Sequence, residues 1–269
     1  MVENQESPTV PAELGRLAKE IRKMVLEICH VKQTAHLGSA LSVVDILTVL
    51  TSRYQREGNH IILSKGHAAL ALYSCLFNLG YISETDLNSY SDRGSIFEEH
   101  PNHKVPTVPF ATGSLGHGLP LGCGLAIGEK LKTSGKKVFV VMSDGECNEG
   151  TVWEAAQFAK SKCLDNLTVL VDHNKLQATG RTSETLSDIS LARVFAGFGW
   201  NVAEVDGHDH DSISTSVESK LNNGNPNAVI CHTKKGYGVS FMEDDNNWHY
   251  RAPNEVELAK ALEELSKSA

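Results

Sequence analysis

The sequence contains no cluster of basic residues and no long apolar run. Its 25 Lys and Arg residues are scattered, and 33 Asp and Glu residues bring the formal net charge to -8. Without a basic patch, nucleic acid and anionic membranes are not expected as partners, and an anionic substrate has to be drawn by a local site. Because no stretch of about 18 apolar residues occurs and the first residues are polar, neither a membrane-spanning helix nor a signal peptide is expected.

Closely spaced cysteines are also missing. The six cysteines lie far apart and form no C-x-x-C pair. This distribution is typical of a reducing compartment and not of a disulfide framework, so we expect a cytoplasmic protein. The chain does have length and apolar content, since 269 residues with 41% hydrophobic side chains suffice for a substantial core.

The apolar pattern predicts alternating helices and strands. Apolar residues at helical spacing, such as Leu14, Ile21 and Val25, predict an N-terminal helix at about 10–30. Further helices are predicted at 41–50, 68–79, 118–131, 151–161, 189–198, 212–221 and 254–266. Short Val/Ile/Leu-rich strands are predicted at 61–63, 138–142, 167–172, 201–205 and 228–232. This alternation indicates an α/β fold with a doubly wound, mainly parallel sheet and helices on both faces.

The organisation along the chain suggests one domain and one functional loop. We find no repeat, no low-complexity linker and no domain boundary, so a single domain over 1–269 is expected. The segment 91–113 has three prolines and no periodicity, which favours a functional loop over a simple connector. In doubly wound sheets, ligands bind beyond the carboxyl ends of the strands.

Two polar motifs follow neighbouring predicted strands. SDGE (143–146) comes after one strand, and DHNKL (172–176) closes the next. The Asp144 carboxylate, the Asn174 carboxamide and a backbone carbonyl two residues further on can supply three hard oxygens to one Mg²⁺. Asp-Gly and Asn are also common in turns, so a purely structural role for Asp144 and Asn174 stays open.

A glycine-rich segment, GSLGHG (113–118), precedes a predicted helix. Its glycines fit the dinucleotide-binding G-x-G-x-x-G motif poorly, because the third position is missed by one residue and no clear strand comes before it. Closely spaced glycines also suit a flat ring that lies against the backbone.

Four of the twelve histidines lie in glycine- or proline-marked loops or at helix starts: His36, His67, His100 and His249. For each of them a structural role is an alternative to catalysis. Zinc is a further alternative, because His100 and His103 in HPNH, or His208 and His210 in DGHDHD, are closely spaced. No cysteine or third histidine lies near either pair in sequence.

Together these motifs resemble the N-terminal, diphosphate-binding domain of transketolase over essentially the whole chain. TAHLGS (34–39) is similar to the family's S-G-H-P-G-S, LSKGH (63–67) to L-S-x-G-H, and His100-Pro101 to the G-H-P-E turn. GSLGHG is similar to G-P-L-G-Q-G, SDGECNEG (143–150) to the magnesium motif G-D-G-x-x-x-E-G, and DHNKL to D-x-N-x-I. Trp248-His249 resembles the histidine near the domain's end. Leu37, Ser114, Ser143 and His117 depart from the family pattern, but none of them is an expected metal ligand or a sugar-facing histidine.

The resemblance implies a role for each matching residue. For the metal, Mg²⁺ or Ca²⁺ or Mn²⁺ in its place, it implies Asp144, Asn174 and the Leu176 carbonyl. For thiamine diphosphate it implies His67, Gly113, Leu115, Gly145, Glu146, Asn174 and His249. As catalytic residues that face a sugar it implies His36, His100 and His249. As carboxylates at a subunit contact it implies Glu149 and Glu154.

The resemblance also implies an incomplete enzyme. It covers only the first part of the family's polypeptide, and no residue is assignable as the glutamate that contacts N1′ of the cofactor's pyrimidine. We therefore expect the N-terminal subunit of a split, two-chain transketolase. A C-terminal subunit would bring the pyrimidine-binding and C-terminal domains, in an α₂β₂ assembly.

With that partner, the expected reaction is transfer of a two-carbon ketol unit from a ketose to an aldose. The sugars are expected to be phosphorylated, and sulfonated or branched sugars stay open. Two alternatives remain. One is a subunit of another thiamine-diphosphate enzyme, such as a 2-oxoacid dehydrogenase or deoxyxylulose-phosphate synthase. The other is a non-catalytic cofactor-binding protein.

Overall fold

A five-stranded sheet forms the centre of the protein. The structure, a computed structural model, describes residues 11–186, 189–219 and 224–267. Strands β1 (His60–Leu63), β2 (Val138–Ser143), β3 (Leu167–His173), β6 (Asn201–Asp206) and β7 (Asn227–His232) are all parallel, in the order β1-β2-β3-β7-β6. The predicted α/β class with a parallel sheet is confirmed.

Helices surround this sheet in the described parts of the chain. They are α1 (Pro11–Lys32), α2 (Leu37–Leu50), α3 (Ala69–Asn78), α4 (Glu84–Asn88), α5 (Gly118–Leu131), α6 (Gly150–Ser161), α7 (Thr182–Thr185), α8 (Leu191–Gly197), α9 (His210–Glu218) and α10 (Glu255–Lys267). Two short antiparallel strands, β4 (Leu176–Gln177) and β5 (Gly180–Arg181), form a hairpin beside the sheet.

Alternating strand residues divide the core between the two faces of the sheet. On β2, Phe139 and Val141 pack with residues of α1, α2, α3, α9 and α10, whereas Val138 and Val140 pack with residues of α5, α6 and α8. All four side chains are fully buried. Parallel strands covered on both faces require such continuous apolar runs, and this is why the strands were recognisable in the sequence.

Most element predictions are confirmed. The helix predicted at 41–50 begins four residues earlier, at Leu37, and α7 and the β4–β5 hairpin were not predicted. The helix predicted at 212–221 begins earlier, at His210, because the Asp209 side chain accepts the backbone N–H groups of Asp211 and Ser212. The end of that prediction lies in 220–223, outside the described residues. The helix predicted at 189–198 begins at Leu191, where Ser190 is the cap. The sequence prediction missed α4, although the Ser83–Asp86 capping box marks its start.

The carboxyl ends of β1, β2 and β3 lie at one edge of the sheet, since all three strands are parallel. The long segment predicted as a loop, 91–113, has neither helix nor strand. Thr112 ties it to this edge, since its hydroxyl donates to the Leu63 carbonyl at 2.7 Å. Among the described residues, no helix is both long enough and apolar enough to cross a membrane. A single domain over 1–269 stays a prediction.

Candidate functional site

One cavity at this edge brings together most of the residues that the sequence singled out. Its volume is about 290 Å³. The predicted residues that line it are His36, His67, His100, Gly113, Leu115, Gly145, Asn174, Leu176 and His249. Ser39, Ser143, Gln177, Ala178 and Thr179 complete the lining. Residues more than 200 positions apart in the chain thus meet at the end of three adjacent strands.

Four imidazoles form one wall of the cavity, with His36 at the centre. The ring of His36 lies 5.0 Å from that of His249, 5.4 Å from that of His67 and 6.2 Å from that of His100, measured between ring centroids. His36 has a left-handed backbone (φ 68°), and its N–H donates to the His249 carbonyl at 2.8 Å. The His100 carbonyl accepts the Tyr73 hydroxyl at 3.0 Å, which anchors the long loop. Hydrogen bonds to the protein therefore fix the backbones of His36, His100 and His249.

Three of these imidazoles are neutral at physiological pH. Burial lowers the pKa of His36 and, more strongly, that of His67. Burial, followed by the positive charge of Lys235, lowers the pKa of His249 to about 3. A neutral imidazole carries one N–H donor and one acceptor nitrogen. The wall can therefore both donate to and accept from the hydroxyl groups of a ligand.

A cluster of oxygen atoms lies at the ends of β2 and β3. The Asp144 carboxylate accepts the N–H groups of Gly145 at 2.9 Å and Lys175 at 2.8 Å, and the Thr182 hydroxyl at 3.1 Å. No Lys or Arg side chain of the described residues lies within ion-pair distance of it. Burial, reinforced by the charge of Asp172, raises the pKa of Asp144 to about 6. A bound cation would stabilise the ionised form of such a buried carboxylate.

Asn174 is oriented by the residues behind it. Its Nδ2 donates to Ser42 Oγ at 3.2 Å and to the Asp172 carboxylate at 3.3 Å. The carboxamide oxygen is thereby turned the other way, where it accepts the Leu176 N–H at 3.1 Å. One carboxylate, one carboxamide oxygen and the carbonyl of Leu176 make up a donor set of hard oxygens, which suits Mg²⁺.

The comparison with known proteins agrees with this geometry. Residues 15–267 match the family described as transketolase, thiamine diphosphate binding domain. The chain belongs to the transketolase family. A protein of Actinobacillus succinogenes named as one subunit of an apulose-4-phosphate transketolase is 41% identical over 264 residues, which cover 94% of this chain and 96% of that protein. A 6-deoxy-6-sulfo-D-fructose transketolase subunit of a Clostridium species is 32% identical, with 95% and 97% covered.

Solved transketolase structures share the fold. The transketolase of Campylobacter jejuni superposes with a TM-score of 0.88 at 26% identity over 94% of this chain. The chain spans 42% of that transketolase.

Two buried lysines of this transketolase domain were missed by the sequence analysis. Lys65 and Lys235 are both fully buried. Lys65 forms an ion pair with Asp172 and donates to the Ser39 carbonyl at 3.0 Å. Lys235 Nζ contacts Asn246 Oδ1 at 2.9 Å and His249 Nδ1 at 3.0 Å, and within the described residues it has no carboxylate partner.

The unpaired ammonium has a direct electrostatic consequence. Burial and the nearby charge of Lys65 lower the pKa of Lys235 to about 8, so most Lys235 side chains are still protonated at neutral pH. A buried cation without a counterion attracts an anion. Lys235 contacts His249 in the wall of this cavity, and Asp144 lines the neighbouring one. A buried cation and a buried carboxylate near one strand end suit a ligand that carries both an anionic group and a metal ion, as a metal-bound diphosphate does. The only sequence signal was the position of both lysines in glycine-marked loops.

Asp144 and Glu146 do not face the imidazoles. The Asp144 side chain lines a neighbouring cavity of about 330 Å³, together with His173, Lys175 and Thr182. Glu146 is fully buried and lines neither cavity. Its carboxylate accepts the Ser64 hydroxyl and the N–H groups of Gly116 at 2.8 Å and Ser143 at 3.3 Å. The contribution of Glu146 to any cofactor site is thus to hold the glycine-rich loop.

The glycines of that loop serve the protein's own packing more than a ligand. A Cβ atom on Gly118 would lie 2.1 Å from Ser64 Oγ. A Cβ atom on Gly116 (φ +83°) would lie 2.5 Å from Thr151 Oγ1. The first N–H of α5 donates to Ser64 Oγ at 3.0 Å. The dinucleotide alternative therefore has no support, since the helix start that would bind a phosphate already bonds the protein.

The remaining predicted residues lie away from the cavity. Glu149 directly precedes α6 and Glu154 lies on it, and both are exposed. No group of three His, Cys, Asp or Glu side chains suited to a metal occurs in the described part of the chain. The zinc alternative is thus unsupported, and both histidines of DGHDHD instead contact the Asp45 carboxylate.

Proposed function

We propose that this chain is the N-terminal subunit of a split transketolase that depends on thiamine diphosphate and Mg²⁺. Together with a second chain it transfers a two-carbon ketol unit from a ketose to an aldose. The observation that supports this most is the cavity that neutral imidazoles share with Asn174 and Leu176, with the buried Lys235 ammonium against His249. Such a combination suits a cofactor that carries a metal-bound diphosphate and reacts with polyhydroxylated substrates.

The cofactor's diphosphate end would be held at the strand edge. Asp144, Asn174 and the Leu176 carbonyl would bind Mg²⁺. His67, Gly145 and Lys235 would bind the diphosphate, with Lys235 contributing the charge. Gly113 and Leu115 would lie against the rings of the cofactor. Bound thiamine diphosphate supplies a thiazolium carbon that acts as a nucleophile toward a ketose carbonyl.

The chain's own catalytic contribution would come from His36, His100 and His249. Because His36 and His249 are neutral, each can donate a hydrogen bond to a developing alkoxide, and His36 can also accept one from a sugar hydroxyl. His249 Nδ1 already accepts from Lys235 Nζ, which leaves its Nε2–H as the donor. The backbone bond between His36 and the His249 carbonyl fixes the distance between the two rings before any substrate binds. The wall is therefore preorganised.

The sugars belong to the same proposal. The two relatives are named for apulose 4-phosphate and for 6-deoxy-6-sulfo-D-fructose, and both sugars carry an anionic group. We propose a phosphorylated donor and take apulose 4-phosphate as the first sugar to test, because the relative named for it is 41% identical.

The proposal includes a second chain. Relatives of almost the same length are named as subunits, and this chain spans 42% of the Campylobacter jejuni transketolase. The partner would supply the pyrimidine-binding part, with Glu149 and Glu154 at the contact, in an α₂β₂ assembly. A cytoplasmic location is part of the proposal and is supported by six free thiols, five of them buried.

The experiment measures cofactor binding and turnover separately. Calorimetry with Mg²⁺ and thiamine diphosphate should detect binding by the wild type in the presence of its partner, and none by Asp144→Ala. Asp165→Ala is the control, since that exposed carboxylate pairs only with Lys130 among the described residues. The chain alone should show no ketol transfer from apulose 4-phosphate or xylulose 5-phosphate, and the partner should restore it. Equal binding by Asp144→Ala, or robust turnover by the single chain, would contradict the proposal.

A further inference from the structure

The DGHDHD motif, which has no part in the proposed function, converges with Arg22 on the buried Asp45 carboxylate. Asp45 accepts Arg22 Nη1 at 3.2 Å, and it contacts His208 Nδ1 at 2.7 Å and His210 Nε2 at 3.0 Å. The side chains of Arg22 and Asp45 are 6% and 3% exposed, so the charges are removed from water. Such a buried network holds its side chains in place, and it thereby also restrains the neighbouring residues that these side chains contact.

Two of its members also hold the turn that contains Lys235. His208 Nε2 accepts the backbone N–H of Lys234 at 2.9 Å, and the His208 ring stacks on Tyr237 with 3.4 Å between centroids. Arg22 Nε donates to the Tyr237 carbonyl at 3.2 Å. These contacts lie on the residues immediately before and after Lys235-Gly236, so the turn is held at both of its ends.

The turn itself leaves little freedom. Gly236 has φ +76°, and a Cβ atom there would lie 2.2 Å from the Met242 carbonyl oxygen. Its N–H donates to the Gly38 carbonyl at 3.0 Å. From this turn the Lys235 side chain runs into the interior and ends at His249. The position of the Lys235 ammonium is therefore set by how firmly the turn is held.

We infer that His208, held in place by Asp45, is a positioning residue that fixes Lys235 at the candidate site. Its two contacts define its chemical state. His208 Nδ1–H donates to Asp45, and the unprotonated Nε2 accepts from Lys234, so one neutral tautomer links the buried carboxylate to the turn. The consequence for ligand affinity rests on the proposed function, whereas the consequence for the burial of Lys235 does not.

The matched pair His208→Ala and His210→Ala tests this inference. Both imidazoles contact Asp45 and are similarly buried, with side chains 9% and 11% exposed. Among the contacts described, only His208 reaches the turn. Each variant is made in the full chain and assayed for labelling of Lys235 by an amine-reactive probe, detected by mass spectrometry. Denaturant unfolding of the same samples reports the loss of global stability.

His208→Ala should raise the labelling rate of Lys235 by about tenfold or more, because local opening replaces a fully buried ammonium by an accessible one. In His210→Ala the labelling rate of Lys235 should stay within about twofold of the wild-type rate, even if this variant loses as much global stability as His208→Ala. Binding of inorganic diphosphate with Mg²⁺ should weaken by about tenfold in the first variant only. Equal labelling in the two variants, or wild-type labelling in His208→Ala, would overturn the inference.

These experiments distinguish a failure of the proposed function from a failure of the role inferred for His208. If the wild type does not bind diphosphate, even with a second chain, the proposed function fails, and the labelling comparison still decides the role of His208. If His208→Ala does not fold, Tyr237→Ala replaces it, since that change removes the stacked ring and leaves the Asp45 contacts of His208 in place. It too should increase labelling of Lys235, and unchanged labelling would count against the inference.

Discussion

The low pKa of His249 makes the stability of the ligand-free protein depend on pH. The His249 side chain is buried, and its Nδ1 lies 3.0 Å from the Lys235 ammonium. Protonation would place two positive charges side by side, so the folded protein does not protonate this ring until about pH 3. In the unfolded chain the same ring takes up a proton at about pH 6.5. Between these values the unfolded state binds one more proton than the folded state.

The direction and size of the effect follow from this difference. Where the unfolded state binds more protons, the free energy of unfolding decreases as the pH falls. With a pKa of about 3 in the folded state and about 6.5 in the unfolded state, His249 alone should remove about 2 kcal/mol of stability between pH 7 and pH 5. His36 and His67, whose pKa values are also lowered, should add to the loss in the same direction.

The perturbation that isolates this contribution is His249→Asn. Urea unfolding of the wild type and the variant at pH 7, 6 and 5, without metal or cofactor, gives the free energy at each pH. The variant should be less sensitive to pH than the wild type by about 2 kcal/mol over this range. His103→Asn is the control for the substitution itself, because it removes an imidazole that is exposed. If His249→Asn loses as much stability between pH 7 and pH 5 as the wild type, the ring is not held neutral by Lys235 and burial.

Three further predictions concern individual side chains. His100→Ala should leave the affinity for thiamine diphosphate nearly unchanged. In a steady-state assay with the partner it should lower kcat/KM by about 10² or more, as loss of a positioned acid or base does. Weakened cofactor binding with normal turnover would contradict this prediction. Lys235→Met should weaken binding of inorganic diphosphate with Mg²⁺ by about tenfold or more in calorimetry, because it removes the unpaired buried cation. Asp45→Asn should lower the free energy of unfolding by about 3 kcal/mol at pH 7, since it leaves Arg22 buried without its partner. Although burial opposes ionisation, Arg22 and the two histidines hold the pKa of Asp45 well below its usual range. The difference between the wild type and Asp45→Asn in urea unfolding should therefore persist down to about pH 4 and shrink below it, where the unfolded aspartate becomes protonated.

The fold was largely predictable because its determinants are local in sequence. Continuous apolar runs identify β2 and β3 as buried strands, and helical spacing identifies α1 and α5 to within two residues. Helix starts were less predictable, since the caps Asp209 and Ser190 each shift the boundary by two residues and α2 begins four residues before its predicted start. The sheet edge on which to look for chemistry followed from the parallel strands alone.

The candidate site was predictable only in part, because motif spacing fixes the backbone but not the direction of each side chain. Asn174 and His249 face the cavity, whereas the Glu146 carboxylate turns inward to the glycine-rich loop. Lysine is almost always exposed, so the glycines beside Lys65 and Lys235 were too weak a signal to predict that these side chains are buried. Their burial depends on loops about 170 residues apart meeting at one edge.

The charges of the site also explain why neither half of it is satisfied by the protein alone. At one end Asp144 is buried without a nearby Lys or Arg, and at the other Lys235 is buried without a carboxylate in the described residues. Folding therefore leaves a carboxylate that favours a cation and an ammonium that favours an anion. A buried charge without a counterion is energetically unfavourable. Because the charge of Lys235 is not compensated, it also favours the neutral form of the neighbouring His249. A metal-bound diphosphate brings both charges at once, whereas the metal or the diphosphate alone would compensate only one end. If the proposed function holds, the two ligands should bind with positive coupling that arises from the arrangement of fixed charges, with no need for a change in the fold.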